Sequence, residues 1–181
     1  MKVDLLMLLM IANGQKPKSN EKTALQILTE KHKEYKQAKY KDLPQHAICF
    51  ERFTDKTTNG LTKCVIAWLK LNKYFVERTG NEGRIIDQRQ TFNDVVGNTR
   101  TIGSIKRVYS TGTRGTSDLK AIINGRFVAI EIKCKFTKDR QRSHQLEYQK
   151  QVETSGGVYV IAKDFQGFYD WLNEYKKRAA I

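Results

Sequence analysis

The sequence predicts an α/β fold in which helices flank a central mixed β-sheet. Asn124-Gly125 separates two β-rich runs, and this is the strongest short-range hairpin signal because a type I′ turn needs positive φ at both positions. A helix-like segment and an apolar run at 158–162 follow the hairpin, and strand–helix–strand order predicts a right-handed parallel crossover. The 181 residues suffice for one ordinary domain with a core that needs no disulfide or metal.

Residues 1–50 form a basic helical extension to the main domain, which we expect at 51–181. Residues 5–12 are strongly apolar but about half as long as a bilayer span, so we interpret them as a buried helix or strand and expect a cytoplasmic protein with no membrane partner. Residues 19–40 have apolar side chains at helical spacing, with Ser19 or Asn20 as the cap. This helix either contacts nucleic acid or packs on the main domain with one face in solvent.

The next segments predict a helix and the first strand. Leu43-Pro44 ends the first helix, and 45–58 is expected to be a loop with a short strand near 47–50. A second helix begins with Asn59 as its cap and buries one face, formed by Leu61, Cys64, Val65, Trp68 and Leu69. Residues 74–76 are predicted to be the first strand. Residues 80–116 contain six glycines and predict either an extended β-ribbon or a loop near a site.

The hairpin and the C-terminal elements complete the sheet. Hairpin strands are predicted at 117–123 and 126–134. Ser143 caps a helix that ends at Gly156-Gly157, and the continuously apolar run 158–162 predicts a strand buried on both faces. A final helix directs its apolar face inward through Phe168, Trp171, Leu172 and Tyr175.

Two carboxylates face each other across the predicted hairpin. Pairing outward from the turn keeps opposed residue numbers summing to 249, so Asp118 lies opposite Glu131, with Lys133 on the same face. Carboxylates with Cβ atoms about 5 Å apart repel each other. A shared proton, Lys133 or a divalent cation would offset this repulsion. Asp118, Glu131 and the Ile132 carbonyl therefore form a candidate Mg²⁺ or Mn²⁺ site, and the alternative is a solvent-exposed hairpin face with a Lys–Glu pair.

The charge balance indicates a polyanionic partner. The 33 basic and 19 acidic side chains leave a net charge of +14, which most often reflects nucleic acid binding, although solubility alone is an alternative. Residues 95–117 contain no acidic side chain, and residues 135–151 carry five basic against two acidic ones. The candidate nucleic-acid contacts are Arg107, Arg114, Lys135, Lys138, Arg140 and Arg142.

The cysteines exclude some classes of site. Cys49, Cys64 and Cys134 are odd in number and show no C-x-x-C spacing, so we expect reduced, structural thiols. Their scatter, together with that of the histidines, disfavours a zinc site and a catalytic cysteine. A hard cation amid positive charge is instead typical of phosphodiester hydrolysis, in which Lys133 holds or helps deprotonate the attacking water and offsets developing charge.

The hairpin motif resembles a known nuclease signature. Asp118, twelve intervening residues and Glu131-Ile132-Lys133 resemble the PD-(D/E)xK motif, and hairpin, helix and strand are similar to the restriction-endonuclease-like core of that superfamily. The longer run 112–172 is similar to the VRR-NUC (virus-type replication-repair nuclease) domain, especially its small stand-alone phage versions. There a Gly-rich turn precedes the Asp, a Gln-bearing helix follows E-x-K, and a strand after Gly-Gly closes the sheet. The resemblance covers 57–175.

This resemblance implies a metal-dependent DNA endonuclease that uses Mg²⁺ or Mn²⁺. Asp118 and Glu131 would be metal ligands, Lys133 the catalytic lysine and Gln145 a supporting residue. Small stand-alone relatives resemble Holliday-junction resolvases and act as homodimers, which implies duplex or branched DNA as the partner, a possible homodimer, and a role in phage-type replication, recombination or repair.

One departure from the family pattern concerns the first helix. The family usually places a metal-binding glutamate near the start of that helix, whereas 57–64 contain no carboxylate. Asn59, Asp55 and Glu51 are the candidate substitutes, and fewer protein ligands are the other possibility. The alternative function, from another class, is a non-catalytic DNA-binding module on the same fold.

Overall fold

The computed structural model describes residues 22–80, 83–108, 112–137 and 139–179. The predicted apolar segment at 5–12 lies outside these ranges. The helices are α1 (Ala24–Lys39), α2 (Thr58–Leu71), α3 (Ser143–Thr154) and α4 (Phe165–Ala179), with a 3-10 turn at Gln45–Ala47. The strands are β1 (Phe75–Arg78), β2 (Arg84–Asp87), β3 (Gln90–Asn93), β4 (Thr99–Ile102), β5 (Ile105–Val108), β6 (Leu119–Ile123), β7 (Arg126–Ile132) and β8 (Val158–Ala162).

A four-stranded mixed sheet of order β1-β6-β7-β8 forms the centre of the fold. β1, β6 and β7 are antiparallel, and β8 runs parallel to β7 after the α3 crossover. α1, α2 and α4 pack on one face of this sheet, and α3 lies against the other face, where Gln145 contacts Glu131. The predicted α/β class with a mixed sheet between helices is confirmed.

The hairpin has the predicted register. Opposed residues of β6 and β7 sum to 249, and the turn residues Asn124 and Gly125 have φ of 51° and 76°. The strands are shorter than expected because pairing stops at Leu119 and Ile132. One hairpin face is part of the core, through Leu119, Ala121, Ile123, Val128, Ile130 and Ile132.

α1 begins later than the sequence indicated. Its cap is Thr23, not Ser19 or Asn20, because Thr23 and Gln26 form a reciprocal capping box. Ala24 and Leu28 are buried in the same core cluster as the sheet, so α1 packs on α2 and α4. The helix therefore shares the core of the segment that follows it.

α2 buries the predicted face, but its cap is Thr57 and not Asn59. The Thr57 hydroxyl accepts a hydrogen bond from the Gly60 N–H at 3.1 Å, which places Asn59 inside the first turn. The predicted strand near 47–50 is wrong, because Gln45–Ala47 is a 3-10 turn and 48–50 pair with no strand. Within the described ranges, no helix is long and apolar enough to cross a membrane.

Two further elements differ from expectation or settle an open choice. Among the described strands β8 pairs with β7 alone, and it is half-buried along most of its length, so the prediction of a strand buried on both faces is wrong. Its apolar sequence reflects parallel pairing at the sheet edge. Residues 84–108 form paired strands, which confirms the β-ribbon among the two alternatives for 80–116.

Candidate active site

A polar row crosses the sheet at the end where β6 begins and β7 ends. Extending the observed registers by one residue places Thr79 opposite Asp118 and Asp118 opposite Glu131. The Thr79 N–H donates to the Asp118 carbonyl at 2.8 Å, and the Ile132 N–H donates to Asp118 Oδ2 at 2.9 Å. These bonds hold the Asp118 carboxylate between two strands and beside the backbone of the E-x-K segment.

Glu131 is a buried carboxylate with several donors around it. Only 1 % of the residue is exposed, Gln145 Nε2 donates to Oε1, and the Tyr159 hydroxyl donates to Oε2 at 3.4 Å. Burial raises the pKa of Glu131, and the nearby charge of Asp118 raises it further. The alternative of a solvent-exposed face with a Lys–Glu pair is wrong about the exposure of Glu131, which Gln145 of α3 and Tyr159 of β8 contact, whereas the predicted pair with Lys133 does form.

Lys133 bridges two carboxylates. Its Nζ lies 3.1 Å from Glu131 Oε1 and 2.9 Å from Asp139 Oδ2, and its side chain is largely buried. Burial alone would lower the pKa of Lys133, but the hydrogen bonds to Asp139 and Glu131 outweigh it and the pKa is raised. The ammonium group consequently keeps its proton at neutral pH.

The start of α3 positions Gln145. Arg142 is the cap position and α3 begins at Ser143, so the predicted cap is wrong by one residue. The Arg142 N–H donates to Gln145 Oε1 at 2.9 Å, which leaves the amide Nε2 free to reach Glu131. Gly115 has φ of +76°, and a Cβ there would overlap the His144 carbonyl, so the Gly-rich turn before Asp118 packs directly on this helix start.

Sequence reasoning missed two members of this cluster, Asp139 and Tyr159. Tyr159 lies opposite Ala129 in the sheet, and strand alternation places it on the same face as Glu131. Burial raises the pKa of Tyr159, and the charge of Glu131 adds to this. The run 158–162 is apolar throughout and does not fix its register against β7, so the sequence carries no signal that places Tyr159 beside Glu131. Asp139 lies in a loop and carries no local signal.

The predicted basic contacts occupy different parts of the structure. Lys135 Nζ pairs with Asp164 Oδ2 at 3.1 Å, and Arg107 lies in β5 opposite Ile85. Arg114 is exposed in the turn before Asp118, and Arg140 and Arg142 are exposed before α3. Lys138 lies outside the described residues. The structure thus brings Arg114, Arg140 and Arg142 to segments that flank the carboxylates, and Arg107 belongs to the ribbon.

The candidate substitutes for the missing first-helix carboxylate are engaged elsewhere. Glu51 pairs with Lys63 at 3.0 Å, and both line a cavity of about 520 Å³ with Asn59 between α1 and α2. Asp55 Oδ2 accepts a hydrogen bond from the Phe165 N–H at 3.1 Å. No contact of Glu51, Asp55 or Asn59 with Asp118 or Glu131 occurs among the described hydrogen bonds.

The remaining donors fit a hard cation with few protein ligands. The described ranges contain no group of three or more His, Cys, Asp or Glu arranged for a metal. The N–H and C=O groups of one strand residue point to the same side of the strand. Because the Ile132 N–H donates to Asp118, the Ile132 carbonyl also points toward Asp118. Thr79 Oγ1, on the face of Asp118, is buried without a hydrogen-bond partner in the described chain. Oxygen donors of this kind suit Mg²⁺ or Mn²⁺, with water as the other ligands.

Comparison with models of known protein families finds none that matches this chain, and no curated protein matches it. The candidate site therefore depends on the geometry of its own residues.

Proposed function

We propose that this protein is a metal-dependent DNA endonuclease of the VRR-NUC type on a PD-(D/E)xK core. Its substrate is duplex or branched DNA, including the Holliday junction, in phage-type replication, recombination or repair, and it acts as a homodimer that places two sites on two strands. The observation that carries the proposal is the buried Glu131 opposite Asp118, with a protonated Lys133 between Glu131 and Asp139.

The cation site uses two carboxylates and a backbone oxygen. Asp118, Glu131 and the Ile132 carbonyl would hold Mg²⁺ or Mn²⁺, which supplies Lewis-acid charge and a more acidic water when bound. Gln145 fixes the Glu131 carboxylate by donating to Oε1. The Tyr159 hydroxyl donates to the other oxygen, so each oxygen of the Glu131 carboxylate has a donor that fixes its orientation.

Lys133 has an electrostatic role. Its raised pKa makes it a poor base at neutral pH, so we assign it the stabilisation of negative charge that develops on the phosphoryl oxygens. Arg114, Lys135, Arg140 and Arg142 would contact flanking phosphates without selecting bases. Attack by water breaks one P–O bond directly, with no covalent enzyme intermediate.

The test is a cleavage assay on linear duplex, single-stranded, flap and four-way-junction DNA with Mg²⁺, Mn²⁺ or EDTA. Wild type is compared with Glu131→Gln and Asp118→Asn, and Glu147→Gln, an exposed carboxylate on α3, is the matched control. We expect metal-dependent cutting that falls at least about 100-fold in the two site variants and is unchanged in the control.

The DNA-binding module is the alternative outcome of the same assay. If wild type binds DNA but cuts no substrate with any metal, the endonuclease proposal is wrong. Cutting that persists in both site variants would also refute it, because the reaction would then use other residues.

A further inference from the structure

Residues 84–108 lie between β1 and β6 in the sequence and form one long β-ribbon. Opposed residue numbers sum to 192 in both the β2–β5 and β3–β4 pairs, so both halves share one register. The Gln88 N–H donates to the Ser104 carbonyl at 3.1 Å between the halves, beside Gly103 with φ of +96°. Eleven residue pairs, from 84/108 to 94/98, span roughly 35 Å at about 3.4 Å per residue, which is close to one turn of B-DNA.

The described part of the chain does not cover this ribbon. Each ribbon strand makes its main contact with the strand it pairs with. Six large apolar side chains on it are 44 % to 105 % exposed, namely Ile85, Phe92, Val95, Val96, Ile102 and Ile105. An isolated two-stranded ribbon is only marginally stable in water, so a ribbon of this length is suited to a surface that it docks on.

The charge of the ribbon favours a polyanion over a second copy of this chain. It carries five basic and two acidic side chains, a net charge of +3. Both acids are paired within the ribbon, Asp87 with Arg89 at 2.7 Å and Asp94 with Arg100 at 2.8 Å. Two ribbons that each carry a net charge of +3 repel each other, which places the contact of the proposed homodimer elsewhere on the chain, whereas DNA attracts each ribbon.

The ribbon also has groups suited to a DNA groove. Arg84 and Lys106 share one face of the inner half, and neither forms an ion pair with a described carboxylate. One face of the outer half carries only hydroxyl and amide side chains, from Thr91, Asn93, Thr99 and Thr101. Such side chains contact base edges and phosphates, and the major groove admits a two-stranded β-ribbon.

The ribbon is connected to the end of the sheet that carries the candidate active site. The chain leaves the sheet after β1 and returns before Asp118, and the Thr79 N–H donates to the Asp118 carbonyl at 2.8 Å. Both ends of the ribbon therefore connect to the end of the sheet that carries Asp118 and Glu131.

We infer that residues 84–108 are a DNA-binding arm that lies in the major groove of the duplex next to the cleaved strand. Arg84 and Lys106 contact phosphates, and the tip residues Val95 and Val96 make apolar contacts inside the groove. This inference rests on the proposed DNA substrate, and it names the element that holds that substrate.

The experiment measures binding alone, by fluorescence anisotropy in EDTA with a labelled duplex of about 30 base pairs, roughly three turns. The full-length variants are Arg84→Gln/Lys106→Gln and Val95→Ser/Val96→Ser. The charge-matched control is Lys41→Gln/Lys177→Gln, which changes an exposed lysine two residues after α1 and an exposed lysine in the last turn of α4. Circular dichroism confirms that each variant is folded, and light scattering records its oligomeric state.

The two ribbon variants have different expected signatures. Loss of two phosphate contacts lowers the slope of log affinity against log salt by about 1.8, so the loss of affinity between about 50 and 200 mM salt becomes about tenfold smaller. The valine variant weakens binding at every salt concentration and leaves the slope unchanged, because no charge is removed. The control variant changes the slope by less than the loss of one phosphate contact would, which is about 0.9.

Several outcomes overturn the inference. If both ribbon variants are folded and bind DNA with the wild-type affinity and the wild-type salt slope, the ribbon is not a DNA-binding arm. If they change the oligomeric state but leave DNA binding intact, the ribbon contacts a second copy of the chain instead. Failure of wild type to bind DNA would reject the arm together with its substrate. Because binding is measured without metal, weakened binding by a protein that never cuts would reject only the endonuclease proposal.

Discussion

Replacing Lys133 with methionine tests the charge network at the candidate site. Lys133→Met keeps the length of the side chain but removes the cation that lies 3.1 Å from the buried Glu131 carboxylate. At an effective dielectric constant of about 20, the attraction at this distance is roughly 5 kcal/mol. The partner Asp139 is half-exposed, and loss of its pair contributes less than about 1 kcal/mol.

Proton uptake limits the loss of stability. Without Lys133, the Glu131 carboxyl avoids an unpaired buried charge by taking up a proton. Keeping a carboxyl with an ordinary pKa of 4.5 protonated at pH 7 costs about 3.4 kcal/mol, at about 1.36 kcal/mol per pH unit. We therefore expect Lys133→Met to lower the free energy of unfolding by at most about 3 kcal/mol at pH 7. A carboxyl whose pKa is raised in the folded state makes the protein less stable as pH rises. The loss of unfolding free energy in Lys133→Met therefore grows from pH 4.5 upward and is small below this pH.

Urea unfolding of a double-mutant cycle measures this network. Glu131→Gln alone removes a buried charge but also one of the two partners of Lys133, so at neutral pH it destabilises less than Lys133→Met, and in the double variant it should restore most of the stability that Lys133→Met loses. The expected coupling energy between the two positions is about 2 to 3 kcal/mol, and Asp139→Asn is the control for the exposed pair. Additive effects within about 0.5 kcal/mol, or a deficit that does not change with pH, would refute this account of the site.

Three further predictions concern the turn, the titration and the thiols. Gly115→Ala lowers the free energy of unfolding by at least about 2 kcal/mol in urea, because positive φ and the overlap with the start of α3 both oppose a side chain. Burial and the charge of Asp118 raise the pKa of Glu131, so in the metal-free protein this carboxyl titrates above an ordinary glutamate in an NMR pH titration, and Tyr159→Phe raises the pKa further by removing a donor to the carboxylate. A thiol reagent modifies exposed Cys49 in the native protein and spares buried Cys64, whose pKa burial raises to about 12.

Matched comparisons make these predictions decisive. Gly125→Ala is the control for Gly115, since Gly125 has the same φ of +76° but open space around it, and equal losses would show that the packing on α3 is unimportant. A Glu131 pKa that Tyr159→Phe leaves unchanged would mean that the Tyr159 hydroxyl does not stabilise the carboxylate. Labelling of Cys64 as fast as Cys49 in the folded state would contradict its burial.

The sequence predicts the parts of the fold that local chemistry determines. The Asn124-Gly125 turn sets the hairpin register, and the extension of this register by one residue places Asp118 opposite Glu131, because strand alternation admits no other arrangement of the apolar face. The caps of α1 and α2 were misplaced because several hydroxyl and amide residues precede each helix, and only the backbone geometry selects Thr23 and Thr57.

The remaining members of the site depend on tertiary structure. Asp139 reaches Lys133 from a loop, and Tyr159 reaches Glu131 from a neighbouring strand, so neither contact follows from spacing in the sequence. The burial of Glu131 was not expected either, because a hairpin considered alone exposes the face that α3 covers.

The topology explains why these side chains meet at this end of the sheet. β7 and β8 are parallel, so their carboxyl ends lie at one edge, and the crossover brings the amino end of α3 back over that same edge. The first turn of α3 has unpaired N–H groups and a partial positive charge, which favours carboxylates and phosphates beside it. Gln145 lies in that turn and contacts Glu131, the residue next to the end of β7. The hairpin therefore supplies the carboxylates, the crossover supplies the donor that orients them, and neither element alone would form the site.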